Sequence, residues 1–188
     1  MIHIYKESDY TDALKLKKKL LYIYFAILSV FVVAAAIVFV LYLRLPYAST
    51  PEIERKANLY LVLNSVITGI CIIFSFIYLS IPYKRVRAYF KLLDDIKTGQ
   101  KIKNVSTFIQ NDESITEIGN VDFHTMVVLE WSNKTQEFMR RNVLVDKEKP
   151  MPALKNGDII TYVTHSNVLL SYGLKSDDDV FEELEVKE

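Results

Sequence analysis

Two long uncharged runs dominate the hydrophobic pattern of this chain. Residues 20–43 lie between Lys19 and Arg44, and residues 57–83 lie between Lys56 and Lys84, with no charged side chain inside either run. A helix of about 20 mostly apolar residues is long enough to cross the ~30 Å hydrocarbon core of a bilayer. The pattern therefore predicts two transmembrane helices, which the short segment 44–56 joins into a hairpin.

Basic residues are distributed unevenly around these runs, and their distribution predicts an orientation. Residues 1–19 carry five Lys, and residues 84–99 carry five Lys or Arg, whereas the loop 44–56 carries three basic and two acidic residues. Short cytoplasmic flanks are enriched in Lys and Arg. We therefore expect a multi-pass protein of the cell membrane, with both termini cytoplasmic and the loop 44–56 outside.

Small and polar side chains within the two runs indicate where the helices pack. Small residues allow helices to approach closely in lipid, and an amide can form a hydrogen bond between them. The residues expected to face the other helix, or a second copy of the protein, are Ala35, Ala36, Asn64, Ser65 and Gly69. No residue of the second run is strongly ionisable, which disfavours transport by the hairpin alone.

Residues 84–99 follow the second run and have a helical period. Val86, Tyr89, Phe90, Leu93 and Ile96 recur every three or four residues, and Gly99 is placed to end the helix. The pattern predicts a short amphipathic helix beside the membrane. The candidate contacts to lipid headgroups are Lys84, Arg85, Arg87 and Lys91. The alternative is that these residues only fix the topology.

Within residues 100–175, the spacing of the apolar residues changes to a period of two, which is typical of strands. Candidate strands cover residues 123–131, 138–145, 159–165 and 168–172, with a weaker one at 107–110. Four to five antiparallel strands in so short a segment predict a small, barrel-like all-β domain on the cytoplasmic side. Because Trp131 ends an alternating run with Phe123, Val127 and Leu129, we expect its indole to be buried in the core.

The order of these parts resembles that of NfeD-like bacterial membrane proteins. The segment Leu154-Lys155-Asn156-Gly157-Asp158-Ile159-Ile160 resembles the L-x-x-G-D-x-V entry to a strand that many such barrels contain. The resemblance covers about the second half of the chain. It implies a membrane anchor followed by an OB-type barrel, with a scaffolding or partner-binding role. It assigns no functional residue.

The net charge of the whole chain is zero, but an acidic tail follows the β-domain. Residues 177–188 contain seven acidic residues and one Lys, while the segment before them is balanced. A balanced domain beside an acidic tail is a poor partner for nucleic acid. Within residues 176–188, the candidate partner motif comprises Asp178, Asp179, Val180, Phe181 and Leu184. The alternative is a solvated end without a role.

Motifs of catalysis or cofactor binding are missing from the sequence. His3, His124 and His165 do not have zinc-ligand spacing, and the single cysteine, Cys71, lies within the second apolar run. We therefore expect no cofactor, no metal and no catalysis. The favoured hypothesis is a membrane protein that presents its β-domain to another membrane protein or to itself. The rivals are an accessory subunit that packs its hairpin into a larger transporter or enzyme complex and, third, an enzyme without a recognisable motif.

Overall fold

The computed structural model of the chain describes residues 1–47, 50–132 and 135–175. It divides into two units, Leu14–Arg87 and a second unit that combines Met1–Ala13 with the chain from Ala88 onward. The first is a helical hairpin and the second is a β-barrel with helical flanks. The predicted fold class is therefore confirmed, and residues 1–13 belong to the barrel unit.

The helices α1 (Glu7–Leu43) and α2 (Pro51–Tyr78) form the hairpin. Both are long and apolar enough to cross a membrane. Only 6% of the most apolar part of the first is buried, and 0% of the second, so neither is the core helix of a soluble domain. The helix α2 begins at Pro51, a residue whose fixed φ suits a first helical position, and this start shortens the predicted loop.

Large aromatic side chains, and not small ones, hold the hairpin together. Tyr24 stacks on Tyr78 with ring centroids 5.7 Å apart, and the Tyr24 hydroxyl donates a hydrogen bond to Ser75 Oγ at 3.2 Å. The ring centroid of Phe74 lies 6.1 Å from that of Phe31 and 5.5 Å from that of Tyr78. The Tyr78 hydroxyl also donates to the carbonyl of Leu20 at 3.0 Å. The two helices are thus antiparallel neighbours whose rings set the spacing.

The residues predicted to pack between the helices have mixed positions. Ala35 and Asn64 are half-buried, whereas Ala36 and Ser65 are exposed. A Cβ added to Gly69 would meet nothing within 4 Å, so the hairpin makes no close approach there. The buried Asn64 Oδ1 has no hydrogen-bond partner in the described chain. Because bulky rings separate the helices, the small residues do not bring them together within one copy.

The second helix does not end at Pro82. A π-helical turn over Leu79–Tyr83 contains Pro82, and the helix α3 (Lys84–Thr98) follows it directly. Proline lacks the N–H for a regular helical hydrogen bond, and a π turn is a local way to accommodate the missing bond. The amphipathic helix predicted over 84–99 therefore exists, but it continues α2 without a break.

Five strands close into the barrel, and a sixth extends it. They are β2 (Ile102–Ile118), β3 (Val121–Ser132), β4 (Glu137–Asp146), β5 (Ile159–His165) and β6 (Val168–Leu174), and the short β1 (Ile2–His3) pairs with β6. The order around the barrel is β2-β3-β4-β6-β5, with β5 pairing back to β2. One contact, Leu144 with Val168, is parallel, so the expected all-antiparallel pairing holds for every strand pair except β4–β6. This is the connectivity of an OB-type Greek-key barrel.

Two apolar clusters hold the barrel unit together, one on each side of the sheet. The interior is filled by Met126, Val128, Tyr162, Leu169 and other residues that are no more than 8% exposed. The outer cluster joins Phe123 and Leu170 of the sheet to Ala13 of α1 and to Leu93 and Ile96 of α3. Because side chains alternate along a strand, Leu169 points inward while Val168 and Leu170 face the helices. The helices therefore cover only part of the outer surface.

Polar contacts tie the N-terminus to the barrel. Asp9 Oδ2 accepts hydrogen bonds from the Lys6 backbone N–H at 2.8 Å and from Lys149 Nζ at 2.7 Å. Burial, the largest single cause, would raise the pKa of Asp9, but the hydrogen bonds from Lys149 and Lys6, together with the charges of both lysines, outweigh it and lower the pKa. Nearby, the Asp146 carboxylate is only 2% exposed. Burial first, and then the charge of Asp146, raise the pKa of both Tyr5 and Tyr89.

The raised pKa values of Tyr5 and Tyr89 predict a loss of stability in alkali. In the folded state both phenols hold their protons more tightly than the ordinary pKa of 10.0 implies. Their contribution to stability is therefore complete below that pKa and falls as the pH rises above about 10. In circular-dichroism melts of the full chain, Tyr5→Phe/Tyr89→Phe should flatten this alkaline fall. The control Tyr47→Phe, which changes a fully exposed side chain, should leave the alkaline fall in stability unchanged. If stability falls equally steeply with pH in the parent chain, in the double variant and in Tyr47→Phe, the prediction is contradicted.

Candidate interaction surface

The hairpin of β3 and β4 extends beyond the closed part of the barrel. The pairing of β2 with β3 begins at Leu129, and β4 meets β6 only at Leu144. The end of β3 after Leu129 and the start of β4 are therefore paired mainly with each other, through Glu130–Met139, Trp131–Phe138 and Ser132–Glu137. The residues of this part of the sheet belong to neither of the two apolar clusters of the barrel unit.

Trp131 lies on this extension, and the prediction that it is buried is wrong. Its side chain is 46% exposed, whereas Phe123 on the same face of β3 is 2% exposed. Phe123 packs against α3 and the start of α1, and Trp131, eight residues further along the strand, is not part of that cluster. The alternating pattern identified the correct face of the strand, but the face changes from covered to open along its length.

An aromatic pair forms the centre of the open surface. The rings of Trp131 and Phe138 meet edge to face, with centroids 5.0 Å apart and planes inclined by 71°. Phe138 is 63% exposed and the neighbouring Met139 is 51% exposed. Edge-to-face pairs contribute about 0.5–1.5 kcal/mol beyond the area that they bury. The pair is therefore ordered by its own contact while most of its apolar surface stays in water.

Charged and amide groups lie on the opposite face of the same two strands, beside Met139. Arg141 Nη1 donates to Glu130 Oε2 at 2.8 Å, and Arg141 Nε donates to Asn167 Oδ1 at 3.1 Å. The hydrogen bond to Glu130 raises the pKa of Arg141. Asn167 has a φ of 72°, in the left-handed region that asparagine tolerates, and it also donates from Nδ2 to the Asn142 carbonyl. The guanidinium is thereby held at the border of the surface.

A shallow groove runs beside the pair. Its volume is about 610 Å³, and its lining combines the aromatic, charged and amide groups described above. The residues that line it are Glu130, Trp131, Ser132, Met139, Arg140, Arg141, Asn142 and Asn167. Two acidic residues, Glu130 and Glu137, balance the two arginines across the hairpin. We refer to the groove together with Phe138 and Glu137 as the hairpin surface.

The sequence contains a signal for this surface that the strand prediction missed. Phe138 and Met139 are consecutive apolar residues, and Arg140 and Arg141 are consecutive basic ones. A half-buried strand alternates apolar and polar residues, so this run breaks the pattern that Val143 and Val145 later restore. A strand that loses its alternation while keeping β-forming residues is a candidate for an open end.

The structure also locates the other predicted contact residues. Lys84, Arg85, Arg87 and Lys91 all lie on α3 with exposed side chains. The predicted partner motif from Asp178 to Leu184 lies outside the described residues. Among the residues that are described, no three His, Cys, Asp or Glu side chains lie together in a way that could hold a metal ion.

Comparison with known proteins leaves the architecture as the main guide. No protein-family model, curated protein sequence or solved structure matches the chain. The likeness to NfeD-like proteins therefore depends on the order of the parts: two apolar helices followed by a closed barrel of OB-type connectivity.

Proposed function

We propose that this protein is a non-catalytic membrane-anchored scaffold, which uses its small barrel to bind another protein at the cytoplasmic face. The observation that carries the proposal is the hairpin surface, where the paired rings of Trp131 and Phe138 leave 46% and 63% of their area exposed on one face of the sheet, and Met139 leaves 51% exposed on the other face. Contiguous exposed apolar groups with a polar border are typical of protein interaction sites.

The charges of the hairpin surface favour a protein partner over nucleic acid. Arg140 and Arg141 are accompanied by Glu130 and Glu137, and Arg141 is already paired with Glu130. A nucleic-acid site needs an excess of basic residues to follow the phosphates. An interface of aromatic, methionine and arginine side chains matches the composition that is enriched at protein contacts.

The pairing of β1 with β6 supports the proposed topology. His3 pairs with Ser171, and Ile4 N donates to the Leu170 carbonyl at 2.9 Å, so the N-terminus and the barrel belong to one unit. If the apolar helices cross the membrane as a hairpin, both ends lie on the same side of it. The five basic residues in each outer flank favour the cytoplasm as that side.

A photo-crosslinking experiment tests the proposed function. Benzoylphenylalanine at Phe138 of the full chain in its native membranes should capture a protein. The same probe at Thr116, an exposed strand position on the β2–β3 hairpin, should capture none. Adducts with lipid alone, or equal protein capture at both positions, would contradict a protein-binding role for the hairpin surface.

The rival function, an accessory subunit that docks through its hairpin, has one observation in its favour. The outward face of α1 carries a shallow apolar groove lined by Ser29, Val30, Val33, Ala34 and Ile37. Small residues in such a groove suit close contact with another helix in lipid. Under the rival function, a photoprobe at Val33 should capture protein while the probe at Phe138 captures none.

A further inference from the structure

The first residues of β4 form an open strand edge. From Glu137 to Arg141, β4 pairs with β3 on one side, and within the described residues its only other pairing is the later contact of Leu144 with Val168. An open edge presents backbone N–H and C=O groups that can pair with another strand. The segment contains neither Lys nor Pro, and its three charged residues, Glu137, Arg140 and Arg141, restrict the edge to a strand that carries complementary charges. It is therefore a site at which a strand can be added.

The order of side chains along this edge is complementary to itself. In an antiparallel pair around a twofold axis, opposed residues share one face of the sheet, and the axis passes between two copies of the same residue. If that residue is Met139, Phe138 lies opposite Arg140 of the second copy, and Glu137 lies opposite Arg141 of the second copy. Each contact occurs twice. The first places a guanidinium beside an aromatic ring, and the second joins opposite charges.

Neighbouring registers do not give these contacts. An axis at Arg140 would place the two Arg140 side chains opposite each other, which is repulsive. An axis at Phe138 would place Glu137 opposite Met139 and would leave its charge without an opposite partner. The charges therefore select the register centred on Met139.

We propose that the hairpin surface binds a second copy of this chain, by antiparallel pairing of the two β4 edges around Met139. The proposal rests on the proposed function and names its partner. Pairing in this register covers Phe138 and Met139, which are more than half exposed in the single copy. Anchoring of both copies in one membrane raises their effective concentration, so a short edge is sufficient for association.

Disulfide crosslinking of the full chain in lipid vesicles tests the register. With Cys71→Ala as background, Met139→Cys should form a dimer under mild oxidation, because opposed Cα atoms lie about 4.5–5.5 Å apart, within disulfide range. Arg140→Cys is the matched register control, because its two copies would be diagonal neighbours about 7–8 Å apart, at or beyond that range. Thr116→Cys controls for random collision between exposed strand positions.

A charge exchange tests the same contact without a covalent bond. Phe138→Lys places a positive charge opposite Arg140 of the second copy at two symmetric positions. We expect this change to weaken the dimer about tenfold in energy-transfer measurements between labelled copies. Phe138→Lys/Arg140→Glu replaces the two repulsive contacts with two attractive ones and should restore most of the association.

The possible results separate this proposal from the function on which it rests. Selective crosslinking at Met139, with loss and recovery in the charge exchange, supports the β4 dimer. Equal crosslinking at Met139, Arg140 and Thr116 overturns it. Capture of a different protein by the Phe138 photoprobe, without crosslinking at Met139, overturns the dimer and leaves the scaffold function standing. Adducts with lipid alone overturn both.

Discussion

Replacing Phe123 with alanine is expected to cost the barrel about 3–5 kcal/mol, whereas the same replacement of Trp131 should cost only about 1–2 kcal/mol. Both residues lie on one face of β3, but Phe123 is 2% exposed beneath the helices and Trp131 is 46% exposed. Truncation at Phe123 leaves a cavity between the sheet, α3 and the start of α1. Truncation at Trp131 leaves only open surface beside Phe138.

Thermal or urea unfolding of the full chain in detergent, followed by circular dichroism, measures both effects. The total stability of a small domain is about 5–15 kcal/mol, so Phe123→Ala should visibly reduce the folded fraction. Phe123→Leu, which keeps most of the apolar volume, controls for general sensitivity at this position. A loss of stability at Trp131→Ala as large as that at Phe123→Ala would show that the indole is part of the core.

Hydrophobic patterning predicted the fold class because the two dominant signals are strong and local. A charge-free run of more than 20 residues has few alternatives to a membrane helix, and β3, β5 and β6 are short runs rich in apolar, β-branched and aromatic residues that turn residues bound. The strand over Ile159–His165 has the predicted bounds. By contrast, β1 has two residues, too few for any pattern, and only its pairing with β6 reveals it.

The candidate site was not predictable because it depends on which parts of a strand are covered. Alternation assigns a residue to a face, but only the tertiary arrangement determines how far along the strand that face is covered. The start of α1 and the helix α3 pack on the sheet at Phe123 and Leu170, in a cluster that does not include Trp131. The same limit applies to the hairpin, where small residues in the sequence suggested close packing while Tyr24, Phe74 and Tyr78 determine the actual spacing.

Acrylamide quenching of the intrinsic fluorescence tests most directly the central claim that the hairpin surface is open and available to a partner. Trp131 is the only tryptophan of the chain, so the whole indole signal comes from this surface. In nanodiscs that hold one copy of the full chain, quenching should be several-fold faster than for a buried indole and slower than in the denatured protein, because 46% of the side chain is exposed. Slow quenching in single-copy discs, as for an indole in a protein core or in lipid, would contradict the account.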